Sequence, residues 1–274
     1  MAVTVGMLDD PAAIMRVAGQ FLLSKPVLHN VILTLLETRM ANPEVGRYWV
    51  ASCESRVTGM VFQSPVNFPP TLTPMEPSTI EAMVDAIGAA GISLPGVNGE
   101  AATTARFAGQ WTERKKAAAI PFQGMRLYEL TAPLLLSSGE GELRSPSNLD
   151  RDLLVRWVQA FQTEVDVPAQ DLDRRVDGWI SDGLISLWEH DGTKAMAVHT
   201  KPVGGVTRIM CVYTPPEFRK RGFAENCVSR LSKSLLDEGY RCALYTDLAN
   251  PTSNSIYRRI GYRAVAEILR YRFE

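Results

Sequence analysis

The sequence predicts a mixed α/β (α+β) fold built as two successive domains of about 130 residues, and three observations carry that reading. With 274 residues, 46% of them hydrophobic and 22% charged, the composition is globular, which sets aside disordered, collagen-like and coiled-coil classes. Segments of helical and of strand periodicity alternate along the chain. The order helices, hairpin, helix, strand, helix, strand runs through both halves, a repeat of element order rather than of residue identity. Residues 136–148, rich in Ser and Gly and without periodicity, separate the two. The expected partition is a first domain at 1–138, a linker at 139–148 and a second domain at 149–274.

In the first half, Ile14, Val17, Phe21 and Leu22, then Val31, Ile32, Leu35 and Leu36, keep helical spacing over residues 12–41, and Lys25-Pro26 divides the run into two helices. The β-prone runs 48–53 and 57–62 form a hairpin around Glu54-Ser55. A proline-rich passage covers 68–77. Ser78-Thr79-Ile80-Glu81 has the form of a capping box and opens a helix to about Ala90, stopped by Gly91. A strand at 92–97, a helix at 101–119 and a strand at 125–130 complete the half.

In the second half, helices are expected at 150–165 and 171–177, and strands at 184–189 and 195–199 turn through Asp191-Gly192. A strand at 206–213 is entered through Gly204-Gly205, a two-residue hairpin turn. The next helix sets Phe223, Ala224, Cys227, Val228, Leu231 and Leu235 on one face and stops at Gly239. A strand at 242–248, a helix at 251–260 ended by Gly261 and a strand at 265–273 close the chain.

Basic and acidic residues number 29 and 30, for a net charge of -1, with -2 in residues 1–140 and +1 in 141–274. No global field draws the protein to nucleic acid or to an anionic membrane. Cys53, Cys211, Cys227 and Cys242 show no Cys-x-x-Cys spacing, and the histidines do not join them at zinc-site spacing, so reduced thiols and no metal are expected. No run approaches the ~20 apolar residues of a membrane span, and the N-terminus lacks the basic region of a signal peptide. A cytoplasmic protein with no membrane partner is the expectation.

The segment Arg219 to Ala224 reads Arg-x-x-Gly-x-Ala at a strand-to-helix junction. Gly222 lets the backbone turn tightly and approach a ligand, and the free N–H groups that open the helix form an anion-binding nest. Arg219, Lys220 and Arg221 add positive charge, so a phosphate-bearing ligand suits the place. The whole run from Val206 to Glu225, with Pro-Pro-Glu-Phe-Arg-Lys-Arg-Gly-Phe-Ala at its centre, resembles the acetyl-coenzyme A signature of the GNAT superfamily of N-acetyltransferases. The stretch from Tyr245 to Tyr262, with Asn-Pro-Thr-Ser-Asn-Ser-Ile-Tyr inside it, is similar to that superfamily's second block. The likeness covers roughly residues 150–274. The first half resembles the superfamily only in element order, so the chain is read as a tandem of GNAT-like domains with a degenerate first copy.

That resemblance implies, in each domain, a mostly antiparallel central sheet with a splayed parallel strand pair flanked by helices. It implies acetyl-CoA as co-substrate, its pantetheine arm against Val212-Tyr213-Thr214. The pyrophosphate would lie on the N–H groups of Arg221, Gly222, Phe223 and Ala224, with Arg219 and Lys220 close by. Asn250 and Pro251 suit N-cap and first-turn positions, and helical spacing sets Asn250, Asn254 and Tyr257 on one stripe facing the cofactor. Attack of an amine on the thioester, directly and in a ternary complex, needs donors at the oxygen and a proton near the sulfur. By resemblance the backbone N–H near Val212 or Tyr213 serves the first need and the Tyr257 hydroxyl, the one catalytic assignment, the second. Glu189, His190 and His199 are possible bases, and none is assigned.

In the first domain Pro69, Pro70, Pro74 and Pro77 delete backbone donors where the second has its nest, so one acetyl-CoA per chain is expected. The acceptor is an unidentified small-molecule or peptide amine, and the protein a monomer or homodimer. The alternative is a catalytically weak acyl-CoA-binding sensor or regulatory module.

Overall fold

A computed structural model describes residues 2–132, 140–165 and 171–274. The first half contains β1 (Thr4–Leu8), α1 (Pro11–Ser24), α2 (Asn30–Ala41), β2 (Arg47–Cys53), β3 (Arg56–Gln63), β4 (Thr71–Leu72), α3 (Pro77–Ala89), β5 (Gly96–Glu100), α4 (Ala101–Lys115) and β6 (Ala119–Leu130). The second contains β7 (Glu142–Arg144), α5 (Arg151–Glu164), α6 (Leu172–Ser181), β8 (Ile185–Glu189), β9 (Thr193–His199), β10 (Val206–Tyr213), α7 (Phe223–Asp237), β11 (Arg241–Asp247), α8 (Pro251–Ile260) and β12 (Arg263–Phe273). Element for element the second half repeats the first, β1 matching β7 and β6 matching β12. No described helix is long and apolar enough to cross a membrane.

Two compact units form from these elements. One comprises Met1–Leu127, Thr246–Asn250 and Ala264–Glu274, the other Tyr128–Tyr245 and Pro251–Arg263. They depart from the sequence halves at the last strand of each repeat: β12 counts with the first unit and the end of β6 with the second. A terminal strand pairs with whichever sheet edge offers free N–H and C=O groups, and sequence order does not record the choice. The expected boundary at 138 lies outside the described residues. Within the expected linker, Glu142–Arg144 form β7, antiparallel to β8, because Leu143 packs onto the core and the backbone finds an edge.

In the first unit the strands run β1-β2-β3-β4-β5-β12-β6. Asp10 caps α1 by accepting from the N–H groups of Ala12 and Ala13, and the break at Lys25-Pro26 falls between α1 and α2 as expected. The core gathers Trp49, Val61, Leu72, Ile80, Phe107 and Trp111. Three local expectations shift. The capping box at Ser78 is not used, since Pro77 at the first helical position starts α3 earlier, with Glu76 as N-cap. The strand expected at 92–97 begins only after Pro95, as β5. The helix expected to 119 ends at Lys115, where Lys116 turns left-handed at φ 53° and frees the chain to start β6.

In the second unit the order is β11-β10-β9-β8-β7, with β10 parallel to β11 and antiparallel to β9. One face carries α7 and α8 over Ile209, Cys227, Leu231, Leu244 and Tyr257. The other carries α5 and α6 over Leu154, Trp157, Val176, Met196 and Tyr213. The Gly204-Gly205 turn is present, both residues at positive φ (58° and 73°) between the mutually bonded Val203 and Val206.

Candidate functional site

The site begins with a gap between two strands. β10 and β11 pair from Val206 opposite Arg241 to Ile209 opposite Leu244, and there the parallel register stops although β10 runs on to Tyr213. On its other side β10 shifts register against β9 between Met210 and Tyr213, and Cys211 takes a φ of 50°. The bulge turns the strand over: Ile209 packs under α7 and α8, whereas Cys211 and Tyr213 pack under α5 and α6. Beyond it the backbone of Met210 to Tyr213 has no register with β11. At the end of this stretch Thr214 Oγ1 is buried without a hydrogen-bond partner among the described residues.

The link from β10 to α7 follows. Phe218 N–H donates to Pro215 O and Arg219 N–H to Pro216 O, then Lys220 (φ 62°) and Gly222 (φ 79°) turn left-handed and α7 starts at Phe223. Its first intrahelical bond runs from Asn226 N–H to Gly222 O. The N–H groups ahead of it therefore have no intrahelical partner, and no side chain caps them. An outward-facing row of donors at the positive end of a 15-residue helix fits a phosphate.

The three cations of the motif divide their work. Arg219 donates through Nε to Thr214 O at 2.9 Å and through its terminal nitrogen to Glu164, so its guanidinium braces the loop instead of standing free. Lys220 and Arg221 are exposed, with the Arg221 guanidinium 4.9 Å from the Phe223 ring centroid. Glu225, in the first turn of α7, is paired with Arg259 of α8 at 2.7 Å, which removes its negative charge from competition with an anion.

On α8, Asn254 and Tyr257 are buried side by side in the helical register. The Tyr128 hydroxyl donates to Asn254 Oδ1 at 2.9 Å. Tyr257 stands edge-on to Tyr262, ring centroids 6.0 Å apart, and burial with a lesser push from Cys227 raises its pKa to about 12. Asn250, expected on the same stripe, precedes α8 and groups with the first unit. Sequence reasoning missed Tyr128, whose strand belongs to the first repeat; nothing in its neighbourhood signals a partner 126 residues away.

The possible bases are otherwise engaged. Glu189 accepts from Arg144 at 3.0 Å and from Thr193. His190 lies with its ring 5.5 Å from that of Phe223, and His199 Nδ1 is 3.1 Å from Thr200 O. Burial lifts the thiols of Cys211, Cys227 and Cys242 to about 12, which makes them inert packing groups. A cavity of about 520 Å³ touches α7 at Leu231, Ser234 and Leu235, in its C-terminal half and away from the donors of its first turn.

The matching place in the first unit is closed. β4 pairs in parallel with β5, Thr71 opposite Asn98 and Leu72 opposite Gly99, and the Asn98 side chain donates to both Pro69 O and Pro70 O. Only residues 73–76 link β4 to α3, against 214–222 between β10 and α7. Asn98 thus lies within a strand, whereas Glu100 caps α4. Burial opposes ionisation of Glu100, yet donors from Thr103 and Ala102 hold its carboxyl below the usual range.

Residues 187–271 match the FR47-like protein family. No curated protein matches the sequence. Among solved structures, a GNAT-family acetyltransferase from Colwellia psychrerythraea superposes with a TM-score of 0.66 at 10% identity, over 99% of this chain and 100% of that one. A GCN5-related N-acetyltransferase from Sphaerobacter thermophilus gives 0.66 at 13% identity, over 98% and 95%. A tandem GNAT protein from the clavulanic acid biosynthesis pathway, in its form without acetyl-CoA, gives 0.55 at 11% identity over 98% of each chain. The chain thus has the fold of the GNAT superfamily in its tandem arrangement, and the FR47-like match falls on the repeat that carries the open gap and the uncapped helix.

Proposed function

We propose that the second repeat binds acetyl-CoA and transfers its acetyl group to a primary amine by direct attack in a ternary complex. The observation that carries this is the pairing of an open β10/β11 gap with a donor row at the start of α7. Acetyl-CoA, when bound, supplies the activated acetyl group. The N–H groups of Arg221, Gly222, Phe223 and Ala224 hold the diphosphate, Lys220 and Arg221 balance its charge, and Arg219 keeps the loop in shape. The backbone of Val212, Tyr213 and Thr214, beyond the end of the β11 register, receives the pantetheine arm. A backbone N–H of Val212 or Tyr213 donates to the carbonyl oxygen as charge develops there. Asn254 lines the α8 side, Tyr257 gives its proton to the departing sulfur, and the proton shed by the attacking amine passes to water. With its pKa pushed up to about 12, the Tyr257 hydroxyl is fully protonated at neutral pH and available as an acid.

Thiol release from acetyl-CoA with a pooled amine set separates this enzyme from a cofactor sensor. Tyr257→Phe is expected to lower kcat by roughly 10²–10⁴-fold and to leave the KM for acetyl-CoA within about twofold; an unchanged kcat removes Tyr257 from the chemistry. Titration calorimetry should give one acetyl-CoA per chain, and a stoichiometry near two would overturn the assignment of cofactor chemistry to the second repeat alone.

A further inference from the structure

Resting on that acetyl-transfer reading, we infer that Glu164, at the end of α5, is a positioning residue for acetyl-CoA: it holds Arg219 onto the carbonyl of Thr214 and so fixes the strand end that receives the pantetheine arm. The need arises in the loop itself. Pro215 and Pro216 carry no N–H, so the carbonyls of Thr214, Pro215 and Pro216 depend on donors from further along the chain. Phe218 N–H serves Pro215, and Arg219 serves the other two, Pro216 through its backbone N–H at 3.3 Å and Thr214 through Nε at 2.9 Å. A guanidinium so used is turned back toward the strand, and one of its terminal nitrogens donates to Glu164.

Glu164 does not suit its own helix. It is the last residue of α5, where the macrodipole disfavours a carboxylate, and that last turn holds no basic residue to offset it. Helix energetics give no reason for an acid there, whereas Arg219 does. Seven residues earlier, two turns back on the same side of α5, the Trp157 ring lies 5.9 Å from that of Tyr213, and the Arg219 guanidinium stands 5.8 Å from the same tyrosine ring. The helix thus grips the end of β10 twice, at Tyr213 directly and at Thr214 through Arg219. In the first repeat α1, which matches α5, ends on Ser24, and residues 73–76 hold no basic residue, so the brace accompanies the repeat with the open gap.

Two roles for Arg219 predict opposite signs when Glu164 is neutralised. Tied to Thr214 and Glu164, the guanidinium serves the strand end, and the diphosphate is left to the N–H row and to Lys220 and Arg221. A brace that loosens lets Thr214 and the loop shift, and acetyl-CoA then binds more weakly. A phosphate ligand released from a competing carboxylate would gain an anion, and acetyl-CoA would then bind more tightly. The Arg219 and Glu164 side chains are 43% and 44% exposed, so the pair adds little to folding and the change in binding is modest.

Titration calorimetry of Glu164→Gln should show acetyl-CoA bound about two- to fivefold more weakly than by the unmodified protein, the range for one exposed ion pair. The KM for acetyl-CoA should rise alike, with kcat within about twofold and the melting temperature within about 2 °C of the unmodified protein. In an Arg219→Met background, which already lacks the brace, Glu164→Gln should change the affinity by less than about 1.5-fold. Tighter or unchanged binding in Glu164→Gln, or an equal loss with and without Arg219, would overturn the inference. The unmodified protein keeps the two levels apart: no binding of acetyl-CoA sinks the transfer reading itself, whereas binding that Glu164→Gln leaves unchanged sinks only the brace.

Discussion

Gly222→Ala, compared with Gly239→Ala, separates a backbone requirement from a ligand requirement at the two ends of one helix. Gly222 precedes α7 at φ 79°, and Gly239 follows it at φ 89°. Both are left-handed, so an alanine at either costs about 1 kcal/mol of backbone strain. A methyl group at either position would meet no protein atom within 4 Å, so no steric cost is added. Each variant should therefore lower the melting temperature of the second unit by about 3–5 °C. Their effects on acetyl-CoA must differ. At Gly222 the methyl group stands among the donors of the first turn, and any obstruction there comes from a ligand. Calorimetry should show acetyl-CoA affinity reduced by about tenfold or more in Gly222→Ala and within about twofold of the parent in Gly239→Ala. Equal affinities in the two variants, with equal losses of stability, would reduce Gly222 to a hinge and refute the diphosphate assignment.

Alkaline stability follows from the buried acids: Cys227 and Cys242 are raised from 9.0, and Tyr257 from 10.0, each to about 12 by burial. Their raised folded values mean that stability is full below pH 9 and is lost as pH rises toward 12, so the melting temperature should be flat up to about pH 9 and fall steadily above it, and a flat profile to pH 11 contradicts their burial. Tyr128→Phe removes the hydroxyl that donates to the buried Asn254 Oδ1 and should cost about 1 kcal/mol in denaturant unfolding of the second unit; no shift in midpoint would mean that the bond adds nothing. Truncation after Arg263 removes the partners of Gly96–Glu100 in β5 and the Phe273 ring stacked on Trp111, so hydrogen exchange should show protection lost in the first unit and kept in α7; a protected β5 would contradict the placement of β12.

What the sequence disclosed follows from how local each signal is. The Gly204-Gly205 turn, the break at Lys25-Pro26 and the stop at Gly239 depend on backbone freedom within a few residues, and each lies where composition places it. The motif Arg219 to Ala224 discloses a turn and a donor row for the same reason. The bulge at Cys211 has no such local sign, because a valine-like run gives no hint that one residue will take φ 50°. Arg219 reads as a phosphate ligand in sequence because its charge is visible there, whereas Glu164, which holds it, lies 55 residues earlier on another helix. The assignment of β12 to the first unit is a competition between sheet edges, and no property of residues 264–274 alone decides it.

The two repeats show how little of a scaffold must change to remove its chemistry. Both place a strand, a link and a helix beside a second parallel strand. In the first repeat three separate features work against a diphosphate. Pro77 deletes a donor at the first helical position, Glu76 sets a carboxylate where an anion would sit, and Asn98 ties β5 to the carbonyls of Pro69 and Pro70 across the place where β10 and β11 part. The link of residues 73–76 is also too short for the turn that Lys220 and Gly222 make. These features act independently. Replacing Pro77 would restore one N–H and leave the charge of Glu76 beside it; neutralising Glu76 would leave the strands joined by Asn98. Cofactor binding by the first repeat would require all of them to be reversed together, which is the physical ground for expecting a single acetyl-CoA per chain.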